Sequence, residues 1–180
     1  QAVRTPSRTD DDISNRIFFA GPFEFRTKGD SSVASERLVA YEMGYRFVPA
    51  GSPLSIDLTF FYNDYKRFND FDALVPLGRI ITDTEEGQTM GMEAFISYWV
   101  NDDWNVKFSY SYFDNKIKPN AFTGGNPTHL ASIKSEYKAT EKISFLNYLH
   151  YTSSYETSRA AFSRNIGLDL GVKWNFMNNW

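Results

Sequence analysis

The sequence lacks cysteine and long apolar runs, and each absence narrows what the chain can be. Without cysteine there is no disulfide framework and no thiolate metal site. No stretch approaches the roughly 18 consecutive apolar residues of a transmembrane helix, so helical membrane spans are excluded. A membrane-spanning β-barrel stays possible, because its strands alternate apolar and polar residues and their mean hydropathy is therefore that of a polar segment.

The chain also has a small net charge and only two histidines. The formal net charge of -3 and the scattered basic residues give no reason to expect nucleic-acid binding. The only histidines, His129 and His150, lack the nearby partners that a metal site needs, so we expect no metal and no cofactor. The sequence also shows no nucleophile–base–acid set, so we expect no enzyme.

Aromatic residues, by contrast, are abundant at 17% of the chain, and they fall on long alternating strands. Between Ser35 and Val48 the odd positions from Val39 to Phe47 are all apolar or aromatic, while both carboxylates, Glu36 and Glu42, and Arg46 fall on even positions. This alternation lasts about ten residues, against about 5–6 for most strands of soluble proteins. About ten residues are what a tilted strand needs to cross the ~25 Å apolar band of an outer-membrane barrel.

Six further segments follow the same pattern and predict strands at 54–63, 89–98, 104–112, 128–138, 143–152 and 164–176. The strand at 143–152 is ambiguous, because Leu146 and Tyr148 fall on the face opposite its other apolar residues. Long connections near 5–34, 66–86, 114–127 and 153–163 alternate with short turns, as expected for extracellular loops and periplasmic turns.

The predicted fold class is therefore all-β, an antiparallel up-and-down meander that forms part of a large transmembrane β-barrel over residues 1–180. The apolar faces of the five clearest strands carry no charge, and aromatic residues gather near the strand ends. A soluble antiparallel barrel or sandwich with its apolar face inward is the alternative, since alternation alone does not exclude it. Strand length, loop asymmetry and the aromatic ends favour the membrane.

Four motifs in order resemble those of TonB-dependent outer-membrane receptors. They are Ala2-Val3-Arg4-Thr5-Pro6-Ser7-Arg8, Ala40-Tyr41-Glu42-Met43-Gly44-Tyr45-Arg46, Phe60-Phe61-Tyr62-Asn63-Asp64-Tyr65 and Gly91-Met92-Glu93. The resemblance implies a 22-stranded barrel, filled by an N-terminal plug domain, in the outer membrane of a Gram-negative bacterium. On this basis the chain holds about seven complete strands, without the plug or the final strands.

The resemblance also implies a function and partners. It predicts active import of a scarce nutrient, most simply a ferric siderophore or similar chelate, energised by the TonB complex through the plug. Haem is disfavoured, because the loop that carries a histidine in haem receptors has none here. The complete receptor is expected to be a monomer in contact with outer-membrane lipid.

Two sets of residues are candidates for this function. Arg4, Arg8 and Arg16 could hold an anionic chelate through charge-assisted hydrogen bonds, or they could simply pair with Asp10, Asp11 and Asp12. A second set is predicted to line the barrel interior, where plug docking or pairing with neighbouring strands is expected: Glu36, Glu42, Arg46, Glu93, Lys107, Asp169 and Lys173.

Two other functions remain open from the sequence. One is a structural or adhesive outer-membrane barrel without a plug, and the other is a soluble all-β binding module. The presence of a plug would separate the receptor from the first, and detergent dependence would separate both barrels from the second.

Overall fold

The computed structural model describes residues 2–20, 23–74, 78–117, 125–157 and 160–176. Its elements are β1 (Ala2–Arg4), α1 (Arg8–Asp12), β2 (Ser14–Ala20), β3 (Phe23–Lys28), β4 (Glu36–Phe47), β5 (Leu54–Leu74), β6 (Gly78–Asn101), β7 (Trp104–Asn115), β8 (His129–Lys138), β9 (Ile143–Thr152), β10 (Tyr155–Glu156), β11 (Ala161–Phe162) and β12 (Asn165–Trp174).

The main sheet follows the chain from one strand to its neighbour. Ten of these strands form it, in the order β1-β4-β5-β6-β7-β8-β9-β12, with β2 paired to β3 and β3 paired to β6. The β1–β4, β7–β8, β8–β9 and β9–β12 ladders are antiparallel. The β3–β6 contact is parallel, from Arg26 opposite Gly78 to Lys28 opposite Ile80. The predicted all-β up-and-down meander is thus confirmed.

The chain divides into two compact units, which we describe separately. Unit 1 comprises Gln1–Tyr41, Tyr62–Thr89 and Asn115–Thr123. Unit 2 comprises Glu42–Phe61, Met90–Asp114 and Gly124–Trp180.

Very few apolar side chains are buried. Among the described residues only Val33 and Ile81, both in unit 1, qualify as a buried apolar core. Many large apolar side chains of unit 2 are exposed instead, including Leu170 and Trp174 on β12. A soluble sheet would cover such side chains with a second layer, whereas a barrel wall exposes them to lipid.

In unit 2 the registers of β7, β8, β9 and β12 sort the side chains into two faces. Directly opposed residues share a face, and the row Phe108, Ile133, Leu149 and Leu168 runs across all four strands. The face that contains this row, here called the apolar face, carries no Asp, Glu, Lys or Arg: Trp104, Val106, Phe108, Tyr110, Tyr112, His129, Ala131, Ile133, Ser135, Tyr137, Ile143, Phe145, Asn147, Leu149, Tyr151, Ile166, Leu168, Leu170, Val172 and Trp174.

The opposite face, here called the polar face, holds all the charged residues of these ladders. They are Lys107, Lys134, Glu136, Lys138, Asp169 and Lys173. The register also resolves the ambiguous strand β9. Leu146 lies opposite Glu136 and Gly171, and Tyr148 lies opposite Lys134 and Asp169, so both belong to the polar face.

The predicted connection near 66–86 contains regular structure in the residues that the structure describes. Strand β5 continues to Leu74 and β6 already begins at Gly78, so residues 66–74 and 78–86 are strand, and the rest of that loop lies outside the described residues. Arg67 has a left-handed φ of 56°, which interrupts the alternation where the apolar pattern ends. Hydrophobic alternation marks only the part of a strand that needs an apolar face, whereas β-branched Ile80, Ile81 and Thr82 favour a strand without it.

Two other predicted loops also contain regular structure. Residues 5–34 hold α1 and the β2–β3 hairpin, in which Ser14 lies opposite Lys28 and Ala20 opposite Phe23. Residues 153–163 hold the short β10–β11 hairpin, where the rings of Tyr155 and Phe162 stack at 4.7 Å. The first two residues of the predicted connection at 114–127 belong to β7, and its residues 118–124 lie outside the described residues.

Candidate functional site

The first candidate site lies in unit 1 around Arg4. Its Nη1 donates to Glu36 Oε1 at 2.9 Å, and its Nη2 lies 3.5 Å from Asp10 Oδ2. The same Glu36 oxygen accepts a hydrogen bond from the backbone N–H of Asn69 at 3.0 Å. Arg4 thus links β1 to α1 and to β4 through two carboxylates, while 58% of its side chain stays exposed.

Helix α1 begins at Arg8 because Ser7 caps it. The Ser7 side chain accepts from the Asp10 backbone N–H at 3.3 Å, and the Ser7 backbone N–H donates to Asp10 Oδ2 at 2.7 Å. This is a capping box. The hydrogen bond from the Ser7 backbone, helped by the Ser7 hydroxyl and the Arg4 charge, holds the pKa of Asp10 below its usual value.

The end of β3 holds α1 in place. The backbone N–H of Gly29 donates to Ile13 O at 2.7 Å, and that of Asp30 donates to Asp10 O at 3.0 Å. A Cβ on Gly29 would stand 2.6 Å from Asp10 O and 2.7 Å from Asp11 O. Glycine at position 29 therefore permits the close approach of the two backbones.

The three arginines predicted to bind a chelate lie on different elements, with Arg4 on β1, Arg8 on α1 and Arg16 on β2. Arg8 Nε lies 3.6 Å from Asp12 Oδ2 on the same helix, and 94% of the Arg8 side chain is exposed. Arg16 lies on β2 directly opposite Arg26 on β3. The alternative pairing with the acidic run is thus present for Arg4 and Arg8, through Asp10 and Asp12.

The second candidate site is the polar face of unit 2. Arg46 donates from Nε to Asp57 Oδ2 at 2.7 Å, which ties β4 to β5. Ser109 and Ser132 share a hydrogen bond of 2.7 Å beside a concavity of about 530 Å³ that Asp57 and Glu93 also line. Glu93, like Glu42, is exposed and forms no ion pair with a described residue.

A row of charged and aromatic side chains crosses this face. Lys107 lies opposite Lys134, Lys134 opposite Tyr148, and Tyr148 opposite Asp169. The Lys134 ammonium stands 4.9 Å from the centre of the Tyr148 ring, in cation–π range. Lys173 lies on the same face, opposite Ser144.

The two histidines sit on opposite faces. His129 is on the apolar face, where the Tyr110 hydroxyl lies 2.8 Å from its Nδ1. His150 is on the polar face, and its Nδ1 is buried without a hydrogen-bond partner, 3.8 Å from Asp169 Oδ2. Within the described ranges no three His, Cys, Asp or Glu side chains gather in a way that could hold a metal ion.

No helix among the described residues is long and apolar enough to cross a membrane. The helical segment α1 has five residues, most of them charged.

Comparison with known families decides the identity of the chain. The family described as "TonB dependent receptor-like, beta-barrel" matches residues 1–180. The chain belongs to the TonB-dependent receptors. A search of the curated proteins finds no match for this receptor segment.

Solved structures with a similar fold include three siderophore receptors. The ferric enterobactin receptor PfeA of Pseudomonas aeruginosa, solved with enterobactin, has 14% sequence identity and a TM-score of 0.71, with 87% of this chain and 26% of PfeA covered. The siderophore receptor PirA of P. aeruginosa has 14% identity and a TM-score of 0.72, with 99% and 32% covered. The ferric-catecholate import receptor Fiu of E. coli has 16% identity and a TM-score of 0.64, with 83% and 22% covered. This receptor segment therefore spans between about a fifth and a third of their length.

Sequence reasoning missed several partners in these sites. They are Asp57, which bonds Arg46, Asn69, whose backbone N–H bonds Glu36, and Tyr148, whose ring lies near Lys134. A signal existed for α1, since Ser7-Arg8-Thr9-Asp10 has a capping residue followed three positions later by an acid. No sequence pattern predicts the contact of Asn69 with Glu36, because this contact depends on the extension of β5 beyond Lys66.

Proposed function

We propose that the chain is part of an outer-membrane receptor that imports a ferric siderophore with energy from the TonB system. The observation that carries the proposal is the whole-chain family match, joined to a fold shared with PfeA, PirA and Fiu. These proteins are receptors for enterobactin, a siderophore and a ferric catecholate, respectively. A catecholate-type ferric chelate is therefore the ligand class to test first.

The two faces of unit 2 support the membrane part of the proposal. A lysine or arginine facing lipid at mid-bilayer costs about 2–4 kcal/mol, and none occupies the apolar face of β7, β8, β9 and β12. The polar face, with Lys107, Lys134, Asp169 and Lys173, would then face the barrel interior. There it would meet water or a plug domain.

The arginines of unit 1 are the proposed contacts with the chelate. The Arg8 side chain is 94% exposed beside Asp12, and Arg16 on β2 is also exposed, so both side chains could reach a ligand. Arg4 is 58% exposed but lies between Glu36 and Asp10, so an anionic chelate would have to displace those carboxylates. We therefore assign the larger share of ligand contact to Arg8 and Arg16.

Fluorescence titration of the full-length receptor tests this proposal. Ferric catecholate, ferric hydroxamate and iron-free chelates are added to the protein in detergent, and quenching of its tyrosine and tryptophan emission is followed. We expect saturable quenching by the ferric catecholate. Arg8→Gln and Arg16→Gln should each weaken binding up to about fivefold, since exposed ion pairs contribute up to about 1 kcal/mol.

Lys142→Gln serves as the matched control, because Lys142 is an exposed cation in the turn before β9, distant in sequence from α1 and β2. Absence of quenching by every ferric chelate would refute the siderophore assignment. Equal weakening in the Lys142 variant would refute the roles of Arg8 and Arg16 while leaving the function intact.

A further inference from the structure

Two cations of unit 1, Arg37 on β4 and Lys66 on β5, stand beside one another. Arg37 lies opposite Val3 in the β1–β4 ladder. The rings of Tyr41 and Tyr62 meet at 6.3 Å, which sets β4 and β5 side by side at that level. Further along the two strands the Asn69 backbone N–H donates to Glu36, so Arg37 and Lys66 lie between these two contacts and line the same concavity.

Both cations line a concavity of about 200 Å³. Its walls also include Arg4, Tyr65 and Phe68. The Tyr65 and Phe68 rings meet edge to face at 6.4 Å, and Tyr65, which directly precedes Lys66 on β5, lies on the opposite face by strand alternation.

Neither Arg37 nor Lys66 has a counter-ion within the part of the chain that the structure describes. The nearby Glu36 is already occupied by Arg4 and by the Asn69 backbone. Asp64, two residues from Lys66 on β5, forms no ion pair with either cation. Two adjacent cations repel each other, so an anion between them would relieve the repulsion.

The face on which these cations lie identifies the kind of anion. By strand alternation Arg37 shares its face with Val39 and Tyr41, and Lys66 shares its face with Tyr62. An apolar and aromatic stripe that ends in basic residues is the profile of a lipid-facing strand at the headgroup level. A chelate captured by the loops or the barrel interior would approach the opposite face.

We propose that Arg37 and Lys66 bind the phosphate group of an outer-membrane lipid. Arginine can take two phosphate oxygens in its planar fork, and lysine adds a compact positive charge. The inference rests on the outer-membrane placement proposed above, but it is independent of the identity of the imported ligand.

Lipid binding to the full-length receptor in an uncharged detergent tests the site by native mass spectrometry. The probes are a short-chain phosphatidic acid, the diacylglycerol with the same chains, and inorganic phosphate. We expect phosphatidic acid to be retained and diacylglycerol to be lost. Arg37→Gln and Lys66→Gln should each weaken retention about fivefold and the double variant about thirtyfold, because each surface cation contributes about one such factor.

Arg37→Lys keeps the charge and should retain most of the binding, and Lys142→Gln should behave as the unaltered receptor. Heat-modifiable electrophoretic mobility confirms that each variant is folded. Unchanged retention in the folded double variant, or equal retention of diacylglycerol, would overturn the proposal. Saturation by inorganic phosphate at the same concentration as the lipid would overturn the lipid source.

The outcome separates this inference from the proposed function. A receptor that binds no ferric chelate, but loses phosphatidic acid in the double variant, would refute siderophore import and support the lipid site. A receptor that binds the chelate normally, but retains phosphatidic acid in the double variant, would support siderophore import and refute the lipid site.

Discussion

Two leucines of β9 offer a direct test of which sheet face meets lipid. Leu149 lies on the apolar face between Ile133 and Leu168, and Leu146 lies on the polar face between Glu136 and Gly171. Their exposed fractions are nearly equal, 41% and 37%. Substitution of each by arginine is therefore a matched pair that differs mainly in the face concerned.

We expect Leu149→Arg to cost about 2–4 kcal/mol, the penalty for an arginine at the bilayer midplane. At about 1.4 kcal/mol per factor of ten, this reduces the folding equilibrium constant roughly 30- to 700-fold. Leu146→Arg places its charge beside Glu136 on the face proposed to be wet, where an exposed pair contributes at most about 1 kcal/mol of either sign.

The assay is urea-dependent folding of the full-length receptor into lipid vesicles, followed by heat-modifiable mobility. The expected result is a large loss of stability for Leu149→Arg and a small change for Leu146→Arg. A greater loss for Leu146→Arg, or equal losses for both variants, would refute the assignment of the two faces.

Three further predictions concern unit 1. Arg4→Gln should lower the unfolding free energy of the receptor by less than about 1 kcal/mol, because its ion pairs are exposed; a loss above about 3 kcal/mol in the urea assay would contradict this. The pKa of Asp10 is lowered in the folded state, so its stabilising effect is present above the unfolded value of about 3.9 and is lost as pH falls through the lower folded value. Carboxylate NMR should show a midpoint below about 3.9, and Ser7→Ala should raise it only in part, because the variant loses the hydroxyl but keeps the backbone N–H that bonds Asp10; a midpoint at or above about 3.9 in the unaltered receptor would exclude the capping box as a cause. Gly29→Ala should lower the unfolding free energy by about 1–3 kcal/mol, because its Cβ would overpack against the α1 carbonyls. Hydrogen exchange over residues 8–13 should then be faster. In the control Gly44→Ala the nearest atom to the new Cβ would be 3.9 Å away, and this exchange should be unchanged.

Alternation was sufficient to predict the strands that carry an apolar face. The predicted strand at 143–152 coincides with β9, and the predicted 128–138 differs from β8 by one residue at its start. In these strands every second residue must be uncharged to form the apolar face, so the strand can be predicted directly from the alternation in the sequence. The face of Leu146 and Tyr148 became certain only through pairing with β8 and β12.

The extension of β5 and β6 could not be predicted in the same way. Beyond Tyr62 neither face has to be apolar, and backbone hydrogen bonds to neighbouring strands can hold a sequence as polar as Lys66 to Asn69. The pairing of β3 with β6 joins segments about 50 residues apart in sequence, and periodicity carries no information about such a contact.

The sequence predicted which residues belong to the candidate site better than it predicted which of them contact one another. The sequence placed Arg4 near the acidic run, and the structure pairs it with Asp10. Its stronger partner, Glu36, was predicted only to line the interior, because the pairing requires the β1–β4 register that sets Arg4 opposite Glu36. Whether Arg8 and Arg16 contact a chelate stays a prediction.

Energised uptake tests the central proposal most directly. Cells that lack their own catecholate receptors are given the full-length gene, and uptake of radioactive iron as the ferric catecholate is measured under iron limitation, with and without a functional TonB complex. The account predicts uptake that requires both the receptor and TonB. Uptake that continues without TonB, or no uptake of any ferric chelate by cells that hold the folded receptor, would contradict it.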